Sequence, residues 1–208
     1  MSGALPPCHK GWHSRGYLPH YDRPGLIQGI TFRLADSVPV ARIEAWKKEM
    51  KWMDGRGRPE GDEAFEEQRR ELHRRIAHYE DSGEGECYLQ RPEIAGLVVE
   101  ALSCFDGQRY ELKAFCVMPN HVHTLILTFG EWTTGQVLKS WKTWTSRAAN
   151  RLLGRTGMAF WAQDYYDRFI RDEAHYLKAL SYLHQNPVKA GLVASAEAWP
   201  WSSACRSV

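Results

Sequence analysis

Two histidines stand one residue apart in the apolar run "FCVMPNHVHTLIL" at residues 115 to 127, and "SYLHQNPVKAG" at 181 to 191 carries Tyr182 and, one helical turn on, Asn186. Successive strand side chains point to opposite faces, so a strand here puts His121 and His123 on one face and Val122 and Thr124 on the other. On a helix, Tyr176, Leu177, Leu180 and Leu183 cluster as a core face, while His175, Lys178, Tyr182 and Asn186 form a separate polar stripe. An amide oxygen suits Mg²⁺ or Mn²⁺ and imidazole accepts Mn²⁺ too, so His121, His123 and Asn186 can hold a hard divalent ion with open positions. Such an ion polarises a phosphate oxygen while a nearby phenol attacks phosphorus as a covalent nucleophile. A free phenol has a pKa near 10, and a cation close by favours its phenolate. The histidine pair by itself also remains compatible with a structural role or with zinc.

The elements that must position these residues follow from periodicity and punctuation. "GLIQGITFRL" (25 to 34) reads as the first strand. Residues 39 to 54 place Val40, Ile43, Trp46, Met50 and Met53 at helical spacing before the turn-rich "DGRGRPEGDE". The piece up to about Tyr79 is helical but densely charged, with Phe65, Leu72, Ile76 and Tyr79 as a thin apolar stripe, and reads as a surface insertion with a solvated helix. "RPEIAGLVVEALSCF" opens a helix at Pro92. "RYELKAFCVM" and "HVHTLILTF" form a hairpin, and Thr134 to Leu152 form a helix with Val137, Leu138, Trp141, Trp144, Ala148 and Leu152 around one face. "AFWAQDYYDRFIR" reads as a strand, and residues 172 to 186 as a helix that Pro187 ends. The order predicts an α+β fold with helices on an antiparallel sheet. Residues 1–24 are expected to be an N-terminal arm, and 25–208 one domain with an insertion at about 55–85.

The 208 residues are 43% hydrophobic with a formal net charge of +2, which fits a single domain with a real core. No signal sequence or membrane-length apolar run is read, so a cytoplasmic protein without a membrane partner is expected. The five cysteines are widely spaced and never in a C-x-x-C pair, and they read as reduced. Cys8, His9, His13 and His20 lie close enough in the leader to hold zinc, or simply form a loop arm. Charge is unevenly distributed: residues 54–100 carry 13 acidic against 7 Lys/Arg, and residues 139–189 carry 9 Lys/Arg against 4 acidic. A charge run is a solvated face or a binding site, and this one follows the histidine pair directly in sequence.

"MPNHVH" together with "YLHQNPVKAGLV" resembles the REP-associated tyrosine transposases, the single-tyrosine branch of the HUH endonucleases. "YDRFIR" and the closing "WPWSSA" resemble the same family, and the likeness runs from about Gly11 to Ala204. The resemblance implies a ferredoxin-like antiparallel sheet, His121 and His123 as the HUH pair, and Tyr182 as nucleophile. The third metal ligand of related transposases is often Gln; here that position is Asn186, one methylene shorter. It further implies a Mg²⁺- or Mn²⁺-dependent single-strand DNA endonuclease and strand transferase acting through a 5′-phosphotyrosine. The implied partner is single-stranded or hairpin DNA of REP-like palindromic repeats, and for such a partner Lys139, Lys142, Arg168, Arg171 and Lys189 are the expected phosphate contacts. Trp12, Tyr17, Trp141, Trp144 and Trp161 are then candidates for stacking single-stranded bases. A monomer is expected, with a dimer that exchanges tyrosine helices as the alternative. Two rival readings stay open: a hairpin-binding module that does not cut, and a zinc hydrolase.

Overall fold

The computed structural model describes residues 11–14, 19–52 and 63–206. Strands β1 (Gly11–Ser14) and β2 (Pro19–Asp22) pair antiparallel as a separate small sheet. The main sheet is formed by β3 (Ile27–Arg33), β4 (Tyr110–Val117), β5 (His121–Thr128) and β6 (Tyr166–Phe169), all antiparallel, in the order β4-β5-β3-β6. Five helices accompany it: α1 (Val40–Glu49), α2 (Glu63–Asp81), α3 (Pro92–Ser103), α4 (Thr134–Leu152) and α5 (Glu173–Lys189).

Alternation along the central strands builds two unlike faces. Ile30, Phe32, Phe115, Val117, Val122 and Ile126 pack with α3 and α4 in the larger core. The opposite face presents Ala114, Cys116 and Leu125, which α5 covers with Leu183. On this second face the register places Cys116, His123, Thr31 and Tyr166 in one row across four strands. The α4 terminus is set by a capping box between Thr133 and Gln136, and the α5 terminus by Asp172 accepting from the His175 N–H at 2.7 Å. The C-terminal "WPWSSA" shields the outer edge of β4, where Val117 N–H donates to the Trp201 carbonyl and Trp199 Nε1 to the Val117 carbonyl.

Several expectations change. Pro187 lies inside α5, not after it: Ala190 and Leu192 donate to the carbonyls of Asn186 and Pro187, so the final turn closes beyond the ring. Leu177, assigned to the core face, is 56% exposed, and Trp144 and Leu152 on α4 also face solvent. The charged helix is not solvated all round. α2 buries Phe65, Arg69, Leu72, Ile76 and Glu80, its Leu72 and Ile76 joining Val38 and Ile43 of the α1 segment. The strand expected across 159 to 171 shortens to β6.

Cys8, His9 and Tyr17 lie outside the described residues, as do the side chains of Trp12 and His13. His20 is buried with both ring nitrogens engaged, by Asp167 (2.9 Å) and Asp164 (2.8 Å), and its ring stacks on Tyr165. It fastens the small sheet to the segment leading into β6. Burial alone would lower the His20 pKa, but the hydrogen bonds and charges of the two aspartates outweigh it and raise it from 6.5 to about 9. A raised folded-state pKa stabilises below the unfolded value, so this contribution is complete below pH 6.5 and is lost as pH rises through about 9. Thermal denaturation followed from pH 6 to pH 10 is expected to show a loss on the order of 3 kcal/mol from this group. His20→Gln should remove that part of the pH dependence.

Candidate functional site

His121 and His123 project from the second face of β5, 2% and 6% exposed, with their Nε2 atoms 2.9 Å apart. Each ring is held from behind. His121 Nδ1 lies 2.7 Å from Asn120 Oδ1, and His123 Nδ1 lies 2.9 Å from Thr31 Oγ1. The Asn120 amide is oriented by its other end, because Nδ2 donates to the carbonyls of Glu80 (3.0 Å) and Glu84 (3.2 Å). Its Oδ1 can therefore only accept, which puts the His121 proton on Nδ1 and leaves Nε2 with a bare lone pair. Burial, then the neighbouring His123 and His73, hold the His121 pKa well below its usual value. Burial lowers His123 to about 4, so both rings are neutral at pH 7.

Two neutral imidazoles converging in this way fit a divalent ion. Ligands about 2.1 Å from an octahedral centre and at right angles stand about 3 Å apart, the separation these Nε2 atoms have. Asn186 on α5 is 2% exposed, and its Nδ2 has no hydrogen-bond acceptor among the described residues. The histidine pair with Asn186 is a donor set suited to Mg²⁺ or Mn²⁺.

Tyr182 stands one turn before Asn186. Its ring meets His123 edge-on at 6.1 Å between centroids, it is 40% exposed, and Lys189 Nζ sits 4.6 Å over it. Burial raises the phenol pKa, and so do Asp81 and Glu80, while the Asn186 side chain opposes them. Glu80 is itself buried, and burial pushes its carboxyl up to about 8 against the Arg33 guanidinium at 3.8 Å.

A cleft of about 430 Å³ opens beside this group, lined by Tyr182, His123, Arg168, His175 and Lys178, and across from them by α2. Of the expected phosphate contacts, Arg168 and Lys189 are brought to the site and exposed Arg171 lies at the start of the α5 segment. Lys139 and Lys142 are not: α4 packs on the other face, and Lys142 donates to the carbonyls of Ala162, Gln163 and Asp164. Trp141 and Trp161 are buried with their Nε1 atoms donating to Tyr110 and Thr145, while Trp144 is exposed. Sequence reasoning missed Thr31, Asn120, His73 and the α2 arginines. Asn120 had a signal in its position directly before His121; the others depend on register and packing.

Residues 101–186 match the family described as "Transposase IS200 like", a segment that spans the histidine pair, Tyr182 and Asn186. Over that segment the chain is similar to the IS200-like transposases. A Haemophilus influenzae protein, assigned by name alone to the REP-associated tyrosine transposases, is 29% identical over 112 residues, covering 48% of this chain and 61% of the relative. The fold matches that of a REP-associated tyrosine transposase solved bound to a REP hairpin, with a TM-score of 0.56, 17% identity, and coverage of 93% of this chain and 84% of the other. Among the described residues no helix is long and apolar enough to cross a membrane.

Removing the group that orients His121 should weaken a bound ion without touching a ligand. Asn120→Ala is expected to lower Mn²⁺ affinity about 10- to 100-fold by calorimetry, and Thr31→Val to lower it as well. Unchanged affinity in both variants would mean that the pair is not where the ion binds.

Proposed function

We propose that the protein is a divalent-metal-dependent single-strand DNA endonuclease and strand transferase that recognises hairpin-forming repeats. The observation that carries the reading is the convergence of two imidazole Nε2 atoms, 2.9 Å apart, with a tyrosine ring lying against the second imidazole. Those residues come from a central strand and a separate helix, and both fall within the transposase-like segment 101–186. The related protein solved with a REP hairpin supports hairpin DNA as the ligand class.

His121, His123 and Asn186 would hold Mg²⁺ or Mn²⁺, which supplies Lewis-acid polarisation of a phosphate oxygen and neutralises developing charge. Tyr182 Oη attacks the scissile phosphorus, the bond from phosphorus to the 3′ oxygen breaks, and that oxygen leaves as a 3′-OH after taking a proton. The DNA is then joined to Tyr182 through its 5′-phosphate. The phosphodiester is conserved, so attack by a 3′-OH reverses the step without an external energy source. Two features bear on activating the phenol, since burial alone disfavours its ionised form: the Lys189 ammonium over the ring and the Asn186 amide beside it. Neither Tyr165 nor Tyr166 is as well placed, because Tyr165 stacks on His20 and Tyr166 stacks on His73 beneath Arg69.

Labelled hairpin DNA incubated with the protein and Mn²⁺ is expected to give a band of covalent adduct on a denaturing gel, absent with chelator and absent in Tyr182→Phe. Hairpin affinity of Tyr182→Phe should stay within a few-fold of wild type. No adduct from wild type would leave a binding module that does not cut, and an adduct from Tyr182→Phe would move the nucleophile elsewhere.

A further inference from the structure

Helix α2 lies outside the transposase-like segment 101–186, yet it is built into the site. Arg69 Nη2 donates to the Asp167 carbonyl at 3.0 Å, the His73 ring stacks on Tyr166 at 3.7 Å, and the C-terminal end holds Asn120 through the Glu80 carbonyl. One stripe of the helix is therefore fixed to the sheet. The adjoining stripe, Arg70, His73, Arg74 and Ala77 at spacings of three, four and seven from Arg70, forms a wall of the 430 Å³ cleft.

We propose that α2 is the second wall of a single-strand cleft, and that Arg70 and Arg74 contact the phosphates of the unpaired DNA adjoining the scissile bond. This rests on the reading of the site as a DNA-cutting centre. The cleft has the size of a site for one or two small groups, about 300–1,000 Å³, so it suits a nucleotide or two and not a duplex. Among the described residues its lining contains no carboxylate. Arg70 and Arg74 stand on one side, Arg168 and Lys178 on the other, and Gly29, Leu125 and Ile170 form an apolar floor. Gly29 adds to the room: a Cβ there would already touch Leu125 Cδ2 at 3.4 Å. Tyr182 and His123 also line the cleft, and the scissile phosphate belongs beside them in the proposed reaction.

The arginines now pair along the helix, Arg70 with Glu67 at 2.8 Å and Arg74 with Glu71. Exposed intrahelical pairs contribute little, so exchanging these carboxylates for phosphates costs little. Phosphate is also the better partner for a guanidinium fork, which it can meet with two oxygens.

The test uses full-length Tyr182→Phe protein, which binds without cutting, and fluorescence anisotropy with two probes: a blunt hairpin and the same hairpin with an unpaired flank. Adding Arg70→Ala and Arg74→Ala is expected to weaken binding of the flanked probe at least tenfold, and to lower the salt slope by about one for each arginine–phosphate pair removed. Binding of the blunt probe should change less than twofold. Ala77→Trp, which fills the cleft without altering charge, should also discriminate against the flank. Arg91→Ala, at the start of α3 where it pairs with Glu93 at 3.5 Å and lines no part of the cleft, should change neither probe. If the parent binds the flanked probe and the arginine variant binds it equally well, the assignment of α2 is overturned while the DNA-cutting reading stands. If the parent binds neither probe, both fall.

Discussion

One side-chain amide connects the parts of the site. Asn120 accepts from His121 at 2.7 Å through its oxygen and donates to the carbonyls of Glu80 and Glu84 through its nitrogen, so a single planar group fixes the His121 tautomer and the end of α2 together. Because neither end of the amide can be exchanged without breaking bonds at the other, His121 Nε2 is left as an acceptor facing His123. Thr31, on the neighbouring strand and in register with His123, holds the second ring through its hydroxyl, 2.9 Å from His123 Nδ1.

A sheet face carrying two histidines, a glutamate and an asparagine is costly to bury, on the order of 1–3 kcal/mol for each polar group left without a partner. The fold meets part of that cost with Asn120 and Thr31. It leaves other groups standing: His73 Nε2, both Glu80 carboxylate oxygens and Asn186 Nδ2 are buried with no hydrogen-bond partner among the described residues, and so are Thr124 Oγ1 and Asn150 Oδ1. The first four atoms sit on α2 and α5, the two helices that wall the cleft, while Thr124 lies on β5 and Asn150 on α4. Natural proteins violate polar satisfaction mainly where a ligand or a reaction supplies the missing partner.

The legible parts of the sequence were those whose signal is local. Strand alternation placed β3, β4 and β5, and the helical period placed α4 at Thr134–Leu152. The polar stripe of α5 separated Tyr182 and Asn186 from Leu183; Tyr182 is 40% exposed with its ring beside His123, while Asn186 is buried at 2% as Leu183 is at 3%. What was not legible depends on partners far along the chain. Arg69 and Glu80 read as solvent-facing charges, yet their burial is set by Asp167 and by Asn120, 98 and 40 residues away. Leu177 read as core because it is apolar, and it is exposed because α5 meets the sheet along a narrower line than its leucines suggest. Pro187 read as a terminator, but in the last turn its missing N–H leaves the following residues free to close the helix.

In the proposed reaction His121 and His123 converge to hold a divalent ion in front of Tyr182. Anomalous diffraction from crystals of the Tyr182→Phe protein grown with Mn²⁺ and an unpaired-flank hairpin locates that ion. One strong manganese peak is expected, bound by the Nε2 atoms of both histidines, with a DNA phosphate oxygen in contact with the ion and the substituted phenyl ring at position 182 beside that phosphate. A phosphate seated at Tyr166 instead, or manganese bound away from the two imidazoles, would refute this arrangement.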